Sequence, residues 1–252
     1  MDLSGLTLPK SDSHKGQNGR LLVIGGSALF HAASLWALEV ASRIVDLVHY
    51  SSVPENNMLV KSKFRNGIVI PRSDIHAYIE EDDCVLIGPG MTRDAQTKVL
   101  TDELLKQYPK KQWVIDAGAL QMMDVALIPK NAILTPHHAE FAHVFGNAEV
   151  IDVAKKYQCI VLLKGPKDIA SDGKRSQIIE GGNEGMTKGG TGDVLAGLIA
   201  ALACKNDPFL ATRAGSYINK KAGDALYKTV GPFFNASDLA AQIPKTMKEL
   251  LI

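Results

Sequence analysis

The sequence predicts an α/β fold in which a central, mostly parallel β-sheet is flanked by helices. Short apolar runs alternate with helical patterns along most of the chain, and this alternation is typical of parallel sheets. A second observation indicates where a ligand binds. Glycine or polar residues follow five of the apolar runs, at Gly25, Gly90, Asp116, His137 and Lys164. In open α/β sheets, ligands bind at this carboxyl end of the strands.

The first elements form a strand–helix–strand unit. Arg20–Ile24 is an apolar run that predicts a buried strand, and Gly25-Gly26-Ser27 closes it. Ala32–Val45 follows with a helical pattern, and Leu47–Tyr50 predicts the next strand. Residues 1–18 are polar and contain glycine, so we expect them to form an N-terminal arm rather than part of the core.

The middle of the chain continues the alternation. Four more strands are predicted, at Asp83–Ile87, Trp113–Ile115, Ala132–Leu134 and Cys159–Leu163. Thr92 or Asp94 is expected to cap a helix that runs through Leu105.

The remaining elements are a hairpin and three helices. Ile169-Ala170 and Gln177–Ile179 flank the turn Ser171-Asp172-Gly173, which predicts an antiparallel hairpin at the edge of the sheet. The rest of the chain is helical, over Val194–Cys204, Pro208–Lys228 and Asp238–Ile252, and the last two helices have acceptable starts at Pro208 and Ser237.

The stretch Met186–Gly197 is the strongest candidate for a functional motif. Its glycines at 189, 190 and 192 permit a sharp turn that brings the backbone close to a ligand. From Val194 the pattern is helical, with one apolar stripe made of Val194, Leu195, Leu198, Ile199 and Leu202. A glycine-rich turn that leads into a helix presents unpaired N–H groups at the positive end of the helix dipole. This arrangement favours an anion, most usefully a phosphate.

Two familiar phosphate-binding motifs are excluded. No run in the chain has the spacing of a P-loop, and the dinucleotide-binding fingerprint would need Gly or Ala where Leu195 stands. Within the stretch, Thr191 can donate a hydrogen bond and Asp193 brings a carboxylate into the first helical turn. The alternative is structural, with Asp193 complementing the helix N-terminus and the glycines forming a tight loop. The length of the glycine run favours a ligand, because one turn does not need three flexible residues.

The composition limits the class of protein. A chain of 252 residues, 46% hydrophobic and 22% charged, suits one soluble α/β domain over residues 1–252. The formal net charge of +1 gives no electrostatic case for a nucleic-acid or membrane partner. Cys84, Cys159 and Cys204 lie in apolar surroundings, which predicts buried, reduced thiols. No signal peptide or membrane-spanning run is found, so we expect a cytoplasmic protein.

Several short blocks together resemble one known family, the ADP- or ATP-dependent NAD(P)H-hydrate dehydratases of the ribokinase-like superfamily. The blocks are Ser13–Gly16, Leu22–Ser27, Ile87–Gly90, Val114–Ala117, Leu134–His137 with Glu140-Phe141, Leu163–Gly165, Gly182-Asn183 with Gly185-Met186, and Gly189–Gly197. They occur in the order of the family and at roughly its spacing, and the last block is the most specific. The resemblance implies a ribokinase-like three-layer sandwich.

The resemblance also implies a reaction and its cofactors. Dehydratases of this family act on NADH or NADPH that has gained a water on the nicotinamide ring, compounds called NADHX and NADPHX. They phosphorylate the added hydroxyl with ADP or ATP and release AMP or ADP, and phosphate then leaves as the ring double bond returns. Phosphate is a better leaving group than hydroxide, so the phosphorylation makes the elimination easy. Mg²⁺ is expected with the nucleotide, and no residue is assigned as its ligand.

Site residues follow from the matching positions. Asp193 is implied to be the base that takes the proton of the substrate hydroxyl. The backbone amides of Gly190, Thr191 and Gly192 are implied to stabilise the transferring phosphoryl group. Nucleotide binding is implied for Lys164, Gly165, Pro166, Lys167, Asp168 and Gly192. Substrate binding is implied for Ala33, Gly90, His137, Asn183 and Asp193.

The chain departs from the family pattern at a few positions. Gly118 stands where a second Asp is usual, and His138-Ala139 replace Pro-Gly. Asp168 replaces a Thr after the Lys-Gly run, and the segment His31–Ser34 is also altered. A carboxylate at position 168 would repel a nucleotide phosphate unless a metal or Lys167 intervenes.

The motif is also compatible with other functions, and the sequence does not determine the nucleotide, the substrate or the partner chains. The Gly-Thr-Gly-Asp motif also fits a ribokinase-like kinase acting on a hydroxyethylthiazole or hydroxymethylpyrimidine, or a non-catalytic nucleotide-binding protein on the same scaffold. The sequence distinguishes neither ADP from ATP nor NADHX from NADPHX. The resemblance implies a homo-oligomer, for which a tetramer is a plausible size. The roughly 200-residue epimerase domain that some members carry in front is not found, so we expect any epimerase partner to be a separate chain.

Overall fold

The computed structural model describes residues 1–252 and contains one nine-stranded sheet. Its strands are β1 Arg20–Ile24, β2 Leu47–Ser51, β3 Ile68–Val69, β4 Cys84–Ile87, β5 Gln112–Ile115, β6 Ile133–Leu134, β7 Ile160–Leu163, β8 Asp168–Ser171 and β9 Ser176–Ile179. The order across the sheet is β3-β2-β1-β4-β5-β6-β7-β8-β9. The first seven strands in this order are parallel, and β8 and β9 pair antiparallel at one edge. The predicted mostly parallel sheet with an edge hairpin is therefore confirmed.

Ten helices cover the two faces of the sheet. They are α1 Ala33–Ala41, α2 Pro54–Lys63, α3 Ile75–Glu81, α4 Ala95–Gln107, α5 Ala117–Met122, α6 His138–Phe145, α7 Val150–Tyr157, α8 Thr191–Ala203, α9 Pro208–Val230 and α10 Ala236–Leu251. Alternate residues of the strands point to opposite faces of the sheet and belong to two separate apolar cores. One core includes α1, α8, α9 and α10, and the other includes α3, α4 and α7. The predicted three-layer sandwich is confirmed.

Helix α8 is the centre of the larger core. It packs against α1, α9 and the strands β4 and β5. The predicted stripe residues are all buried, and burial extends to every residue from Val194 to Ala203, so the helix is covered on more sides than the stripe alone indicates. Small residues explain the difference, because they let neighbouring backbones approach the helix on several sides. A Cβ atom at Gly197 would lie only 2.6 Å from the backbone of Ala37 in α1.

The N-terminal segment also differs from its prediction. Leu3 and Leu6 are buried in the larger core, although the surrounding residues are mostly exposed. The Thr7 N–H donates to the Asn206 side chain at 2.7 Å, which fixes the segment to the turn between α8 and α9. Two leucines at a spacing of three are enough to anchor a segment whose average composition is polar. The expectation of an arm outside the core is therefore wrong for these residues.

Helix boundaries follow local hydrogen bonds. Helix α1 ends at Ala41 rather than Val45, because the N–H groups of Arg43 and Ile44 bond to carbonyls three residues back, at Val40 and Ala41, instead of four. Asp94 caps α4, as expected, by accepting the Thr97 N–H at 2.8 Å. The cap of α10 is Asn235 rather than Ser237.

Two further expectations can be compared with the structure. All three cysteines are buried free thiols, as predicted. None of the helices combines the length and the apolar character that crossing a membrane requires.

Candidate active site

A cavity of about 690 Å³ opens at the carboxyl ends of β6 and β7 and at the start of α8. We call it the main cavity. Lys164 directly follows β7 and His137 lies three residues after β6, and the two are joined by a parallel backbone bridge. Eight of the residues predicted from the sequence line the main cavity: His137, Lys164, Gly165, Pro166, Asp168, Asn183, Thr191 and Gly192. The carboxyl edge of the sheet is therefore where the structure brings most of the candidate site together.

The glycine loop before α8 is fixed by close packing. Gly190 has φ +94°, a conformation that favours glycine. A Cβ atom there would lie 2.4 Å from the Trp36 ring and 2.7 Å from Ala236. Gly189 has free space around it, and a Cβ atom at Gly192 would face the Lys164 ammonium at 3.6 Å. Only Gly190 is thus required for the path of the loop, whereas Gly192 keeps space open beside Lys164.

The start of α8 offers backbone donors to the main cavity. The Gly192 N–H has no backbone partner, whereas the Val194 N–H already bonds to the Gly190 carbonyl. The Thr191 hydroxyl donates to the carbonyls of Met186 and Lys188, at 2.7 and 2.9 Å, so it holds the loop closed. An unpaired N–H at the positive end of a 13-residue helix attracts an anion.

Asp193 stands beside the main cavity without lining it. Burial raises the pKa of its carboxyl to about 7, and the Asp116 carboxylate raises it as well. The Lys164 ammonium opposes both effects, and Glu140 adds a further rise. A carboxyl with a pKa near neutrality is suited to general base catalysis at physiological pH. Asp193 is thus chemically the most distinctive group of the site.

Lys164 is held by a buried carboxylate. Its Nζ atom lies 2.9 Å from an oxygen of Asp116, which follows β5. Burial acts to lower the pKa of Lys164, but Asp116, Glu140 and Asp193 together raise it above its ordinary value. Lys164 therefore stays charged and presents a cation between the main cavity and Asp193.

His137 has a defined tautomer because it caps α6. Its Nδ1 atom accepts the Glu140 N–H at 3.2 Å, while the Glu140 carboxylate accepts the His137 N–H at 2.8 Å. A neutral histidine whose Nδ1 accepts carries its proton on Nε2. His137 therefore offers an Nε2–H donor at the wall of the main cavity.

Asp168 lines the main cavity, but its carboxylate is already occupied. One oxygen accepts the Gly165 N–H at 2.8 Å and lies 3.3 Å from the Nζ atom of Lys220. The other accepts the Ser216 hydroxyl at 2.7 Å. The expected cation Lys167 pairs instead with exposed Glu180 and does not line the cavity. Lys220 is thus the cation that pairs with Asp168, in place of the Lys167 or metal ion that the sequence suggested could intervene.

Helix α9 contributes two residues that sequence reasoning missed. Lys220 and Asn219 both line the main cavity, and Lys220 also donates to the carbonyls of Gly165 and Pro166. A signal for them exists in the sequence. Asn219 and Lys220 lie one helical turn after Ser216, so the three polar side chains share one face of α9, among its buried residues.

Two amide groups in the main cavity have unsatisfied atoms. The Asn183 Oδ1 atom accepts the Gly185 N–H at 3.0 Å, but its buried Nδ2 atom has no partner. The Asn219 Oδ1 atom is likewise buried without a partner. Buried polar atoms without partners are rare in folded proteins. One donor and one acceptor in the same cavity therefore indicate a polar ligand.

Ala33 and Gly90 lie away from the main cavity, where they contact each other. A Cβ atom at Gly90, which has φ +74°, would lie 3.0 Å from the Ala33 Cβ and 3.1 Å from Gly26. These residues follow β1 and β4, on the other side of β5. Nearby, a side chain at Gly118 would collide with the Met91 carbonyl at 2.2 Å. The glycine at this position is thus required by the local path of the chain.

The structure also bears on metal binding. No group of three or more His, Cys, Asp or Glu side chains is arranged to hold a metal ion. Magnesium is often bound by one or two carboxylates together with substrate phosphates. The acidic groups Asp116, Glu140 and Asp193 beside Lys164 suit that mode better than a cage made only of protein ligands.

Comparison with known families identifies a match over most of the chain. A family model described as NAD(P)H-hydrate dehydratase matches residues 21–245. An ADP-dependent (S)-NAD(P)H-hydrate dehydratase from Cenarchaeum symbiosum is 34% identical over 266 residues, covering 95% of this chain and 92% of that protein.

A bifunctional NAD(P)H-hydrate repair enzyme from Methanocaldococcus jannaschii is 37% identical over 257 residues and matches 98% of this chain. A second bifunctional enzyme, from Archaeoglobus fulgidus, is 34% identical over 94% of this chain. The chain spans about half the length of these bifunctional relatives, 52% in both cases.

Solved structures share the fold. A ribokinase-like superfamily protein from Enterococcus faecalis has a TM-score of 0.85 at 24% identity, covering 97% of this chain and 92% of that one. An ADP/ATP-dependent NAD(P)H-hydrate dehydratase from Bacillus subtilis, co-crystallised with ATP and Mg²⁺, has a TM-score of 0.84 at 24% identity, covering 98% and 95%. At this level of identity the likeness establishes the ribokinase-like fold.

Proposed function

Because this chain belongs to the NAD(P)H-hydrate dehydratase family, we propose that it converts NADHX or NADPHX back to NADH or NADPH. The reaction consumes a nucleotide and releases phosphate with AMP or ADP. The observation that carries this proposal is the position of Asp193. A carboxyl with a pKa of about 7 stands next to the free N–H of Gly192 at the start of α8. A base and an anion-binding site therefore occupy one helical turn.

The first chemical step uses both parts of that turn. The Asp193 carboxylate accepts the proton of the substrate hydroxyl while the hydroxyl oxygen attacks the terminal phosphorus of the nucleotide. The bond between that phosphorus and the departing nucleotide oxygen breaks. The N–H groups of Gly190 and Gly192 stabilise the negative charge of the transferring phosphoryl group, whereas the Thr191 N–H already donates to the Lys188 carbonyl. Lys164, a charged neighbour of Gly192, adds to this stabilisation.

The second step completes the dehydration. The phosphate leaves with the electron pair of the carbon–oxygen bond. The neighbouring ring carbon loses a proton as the double bond forms, and the departing phosphate takes up that proton. Protonated Asp193 keeps its proton during the departure, because its high pKa makes the neutral form accessible near pH 7. The net result is removal of one water from the hydrated ring at the cost of one phosphoanhydride bond.

The main cavity is proposed to bind the nucleotide. Its walls combine the Lys164–Asp168 loop with the unsatisfied amides of Asn183 and Asn219. The loop backbone is held by Lys220, which donates to the carbonyls of Gly165 and Pro166. Lys167 lies outside the cavity, so we propose that it does not contact the nucleotide and contributes to its binding only through positive charge at the protein surface. When bound, Mg²⁺ would neutralise charge on the nucleotide phosphates, and Asp116 and Glu140, the carboxylates beside Lys164, are the residues that would hold it.

We propose ADP as the phosphoryl donor. Two archaeal relatives that match almost their whole length, from Cenarchaeum symbiosum and Nitrosopumilus maritimus, are named ADP-dependent dehydratases and are 34% and 35% identical to this chain. The chain also resembles the bifunctional repair enzymes. This resemblance supports a functional pairing with an epimerase that interconverts the two forms of the hydrated cofactor.

A homo-oligomer is part of the proposal. Leu29 and Phe233 are 70% and 86% exposed, and Phe30 next to Leu29 is also exposed. Large exposed apolar side chains are typical of surfaces that contact another chain. A Cβ atom at Gly90 would lie only 2.6 Å from the Phe30 carbonyl, so a contact at Phe30 would lie close to the proposed substrate-binding residue Gly90. Light scattering of the purified protein would measure the mass of the assembly.

One assay tests the proposed function and its alternatives. The purified chain is incubated with NADHX or NADPHX, Mg²⁺ and either ADP or ATP, and the return of reduced-nicotinamide absorbance is followed. We expect recovery with ADP. No recovery with either nucleotide, from protein shown to be folded, would contradict the proposal. Nucleotide consumption with a hydroxyethylthiazole or hydroxymethylpyrimidine would then support the kinase, and binding without consumption would support a non-catalytic protein.

A further inference from the structure

A second cleft, of about 360 Å³, lies on the same edge of the sheet as the main cavity. It is built from the segments that follow four adjacent strands: Arg72 after β3, Ser52 after β2, Gly26-Ser27 after β1 and Met91-Thr92 after β4. We call it the Arg72 cleft. None of the site residues implied by the family resemblance lines it, although a Cβ atom at Gly90 would lie 3.1 Å from Gly26 at its wall.

Arg72 is the only basic residue of this cleft, and it lacks a carboxylate partner. Its Nη1 atom is buried and forms no hydrogen bond, and no salt bridge involves it. Burial lowers the pKa of its guanidinium, which only the Tyr50 hydroxyl opposes. Removing a cation from water without a counter-charge is costly. An anionic ligand would compensate for that cost.

The neighbouring groups suit an anion. The buried Ser27 hydroxyl accepts the Phe30 N–H at 3.0 Å and its own hydrogen remains available for donation. Asp94 is the carboxylate of the cleft, but it is exposed and both of its oxygens are bound, by the Thr97 N–H and the Thr92 hydroxyl. Its charge is therefore screened by solvent. A guanidinium fork matches the geometry of a phosphate, which it can bind through two parallel hydrogen bonds.

The position of the cleft relative to Asp193 indicates which phosphate it receives. Asp193 lies beside Asp116 at the end of β5, with the main cavity on one side and the Arg72 cleft on the other. Arg72 follows β3, and four strand spacings, roughly 19 Å, separate β5 from β3 in the sheet. A dinucleotide whose nicotinamide hydroxyl reaches Asp193 must extend away from it. The main cavity is taken by the phosphoryl donor, so the remaining direction leads towards Arg72.

We infer that the Arg72 cleft binds a phosphate of the hydrated dinucleotide, either its pyrophosphate or the 2′-phosphate that distinguishes NADPHX from NADHX. This inference rests on the proposed function, because it takes the hydrated dinucleotide as the substrate. It makes Arg72 a binding residue remote from the reacting atoms. Its contacts are the same in the ground state and the transition state, so they act on KM rather than on kcat.

The test uses Arg72→Gln, Arg72→Lys and, as a matched control, Arg65→Gln at an exposed position nearby in the chain. KM and kcat are measured for NADHX and NADPHX. We expect Arg72→Gln to raise KM by about tenfold or more with little change in kcat and no change in the KM of the nucleotide donor. Arg72→Lys should be intermediate, because it keeps the charge but loses the fork, and Arg65→Gln should match the wild type.

The pattern of the loss identifies the phosphate. A rise in KM for NADPHX alone assigns Arg72 to the 2′-phosphate, whereas an equal rise for both substrates assigns it to the pyrophosphate. Unchanged KM values for both, from a folded Arg72→Gln protein that still turns over, would overturn the inference while leaving the proposed function intact.

A second readout does not depend on turnover. Isothermal titration of NADPH and NADH into the wild type and Arg72→Gln measures binding directly. If the wild type shows no dehydratase activity, the proposed function fails, and the titration still decides on the cleft. Weaker binding to Arg72→Gln alone would support a dinucleotide phosphate at Arg72. Equal binding, or no binding by the wild type, would overturn it.

Discussion

The Nζ atom of Lys164 lies 2.9 Å from a carboxylate oxygen of Asp116, and this buried ion pair stands beside the carboxyl of Asp193. After burial, which raises the pKa of Asp193 most, the two partners act in opposite directions. Asp116 raises the pKa of Asp193 and Lys164 lowers it, and the result is a value of about 7. The pair therefore adjusts the protonation of the proposed base, in addition to joining β5 and β7.

Substitution Asp116→Asn should move the pH dependence of the reaction. The change removes a negative charge that raises the pKa of Asp193 and leaves Lys164 free to lower it further. The base then stays deprotonated at lower pH. We expect the acidic limb of the kcat/KM profile, near pH 7 in the wild type, to move down by about one pH unit or more.

The control for this experiment is Asp152→Asn, which removes an exposed carboxylate from α7. Its profile should coincide with that of the wild type. An acidic limb that stays in place in Asp116→Asn, or that moves to higher pH, would contradict the role assigned to Asp193.

Alanine substitution of the first two glycines of the loop, Gly189 and Gly190, should change the free energy of unfolding by different amounts. At Gly190 the positive φ and the Trp36 ring at 2.4 Å leave no room for a Cβ atom, whereas Gly189 has nothing within 4 Å. We expect Gly190→Ala to lower the free energy of unfolding by about 1–3 kcal/mol and Gly189→Ala to change it by less than about 1 kcal/mol. Chemical denaturation of both variants measures the difference. Equal stabilities would show that the loop can relax around position 190.

Asp193→Asn should stabilise the protein at neutral and basic pH. In the folded protein the pKa of Asp193 is about 7, well above the value of about 3.9 for an unfolded chain. The contribution of the neutral Asp193 carboxyl to the free energy of unfolding is fully present below about pH 4, the pKa of the unfolded chain. It is lost as the pH rises through about 7, the pKa of the folded protein. Asparagine keeps a neutral group at every pH. The variant should therefore exceed the wild type above pH 7, by up to about 4 kcal/mol, and match it near pH 4.

Thermal or urea unfolding at several pH values checks this stability prediction. Asp152→Asn again serves as the control, because its exposed carboxylate should give no such difference. A variant less stable than the wild type at pH 8 would be inconsistent with a carboxyl whose pKa is raised by burial.

The sequence was sufficient to predict the sheet and the edge at which the site lies. Apolar runs followed by glycine or polar residues marked the ends of β1, β4, β5, β6 and β7, because a buried parallel strand has a simple local signature. Short or polar elements lacked one. Strand β3 has two residues, and α2 contains mostly polar side chains, so neither shows a clear period.

The parts of the site that could not be predicted depend on tertiary contacts. Arg72 follows a two-residue strand, and nothing local distinguishes it from an ordinary surface arginine. Only the fold shows that its Nη1 atom is buried without a partner. The environment of Asp168 was equally hidden from the sequence. Its carboxylate pairs with Lys220 and accepts a hydrogen bond from Ser216, which lie 52 and 48 positions further along the chain. The motif predicted the residues at the start of α8 because there the neighbours in sequence are also neighbours in space.

The most direct test of the central claim compares wild type and Asp193→Asn in the presence of ADP, Mg²⁺ and NADHX. Two quantities are measured, the rate of NADH recovery and the dissociation constant of ADP. Asparagine keeps the shape of the side chain but cannot accept the proton, so we predict a loss of turnover of about 10²-fold or more with ADP binding unchanged within about twofold. Turnover by Asp193→Asn close to the wild-type rate would contradict the assignment of Asp193 as the base.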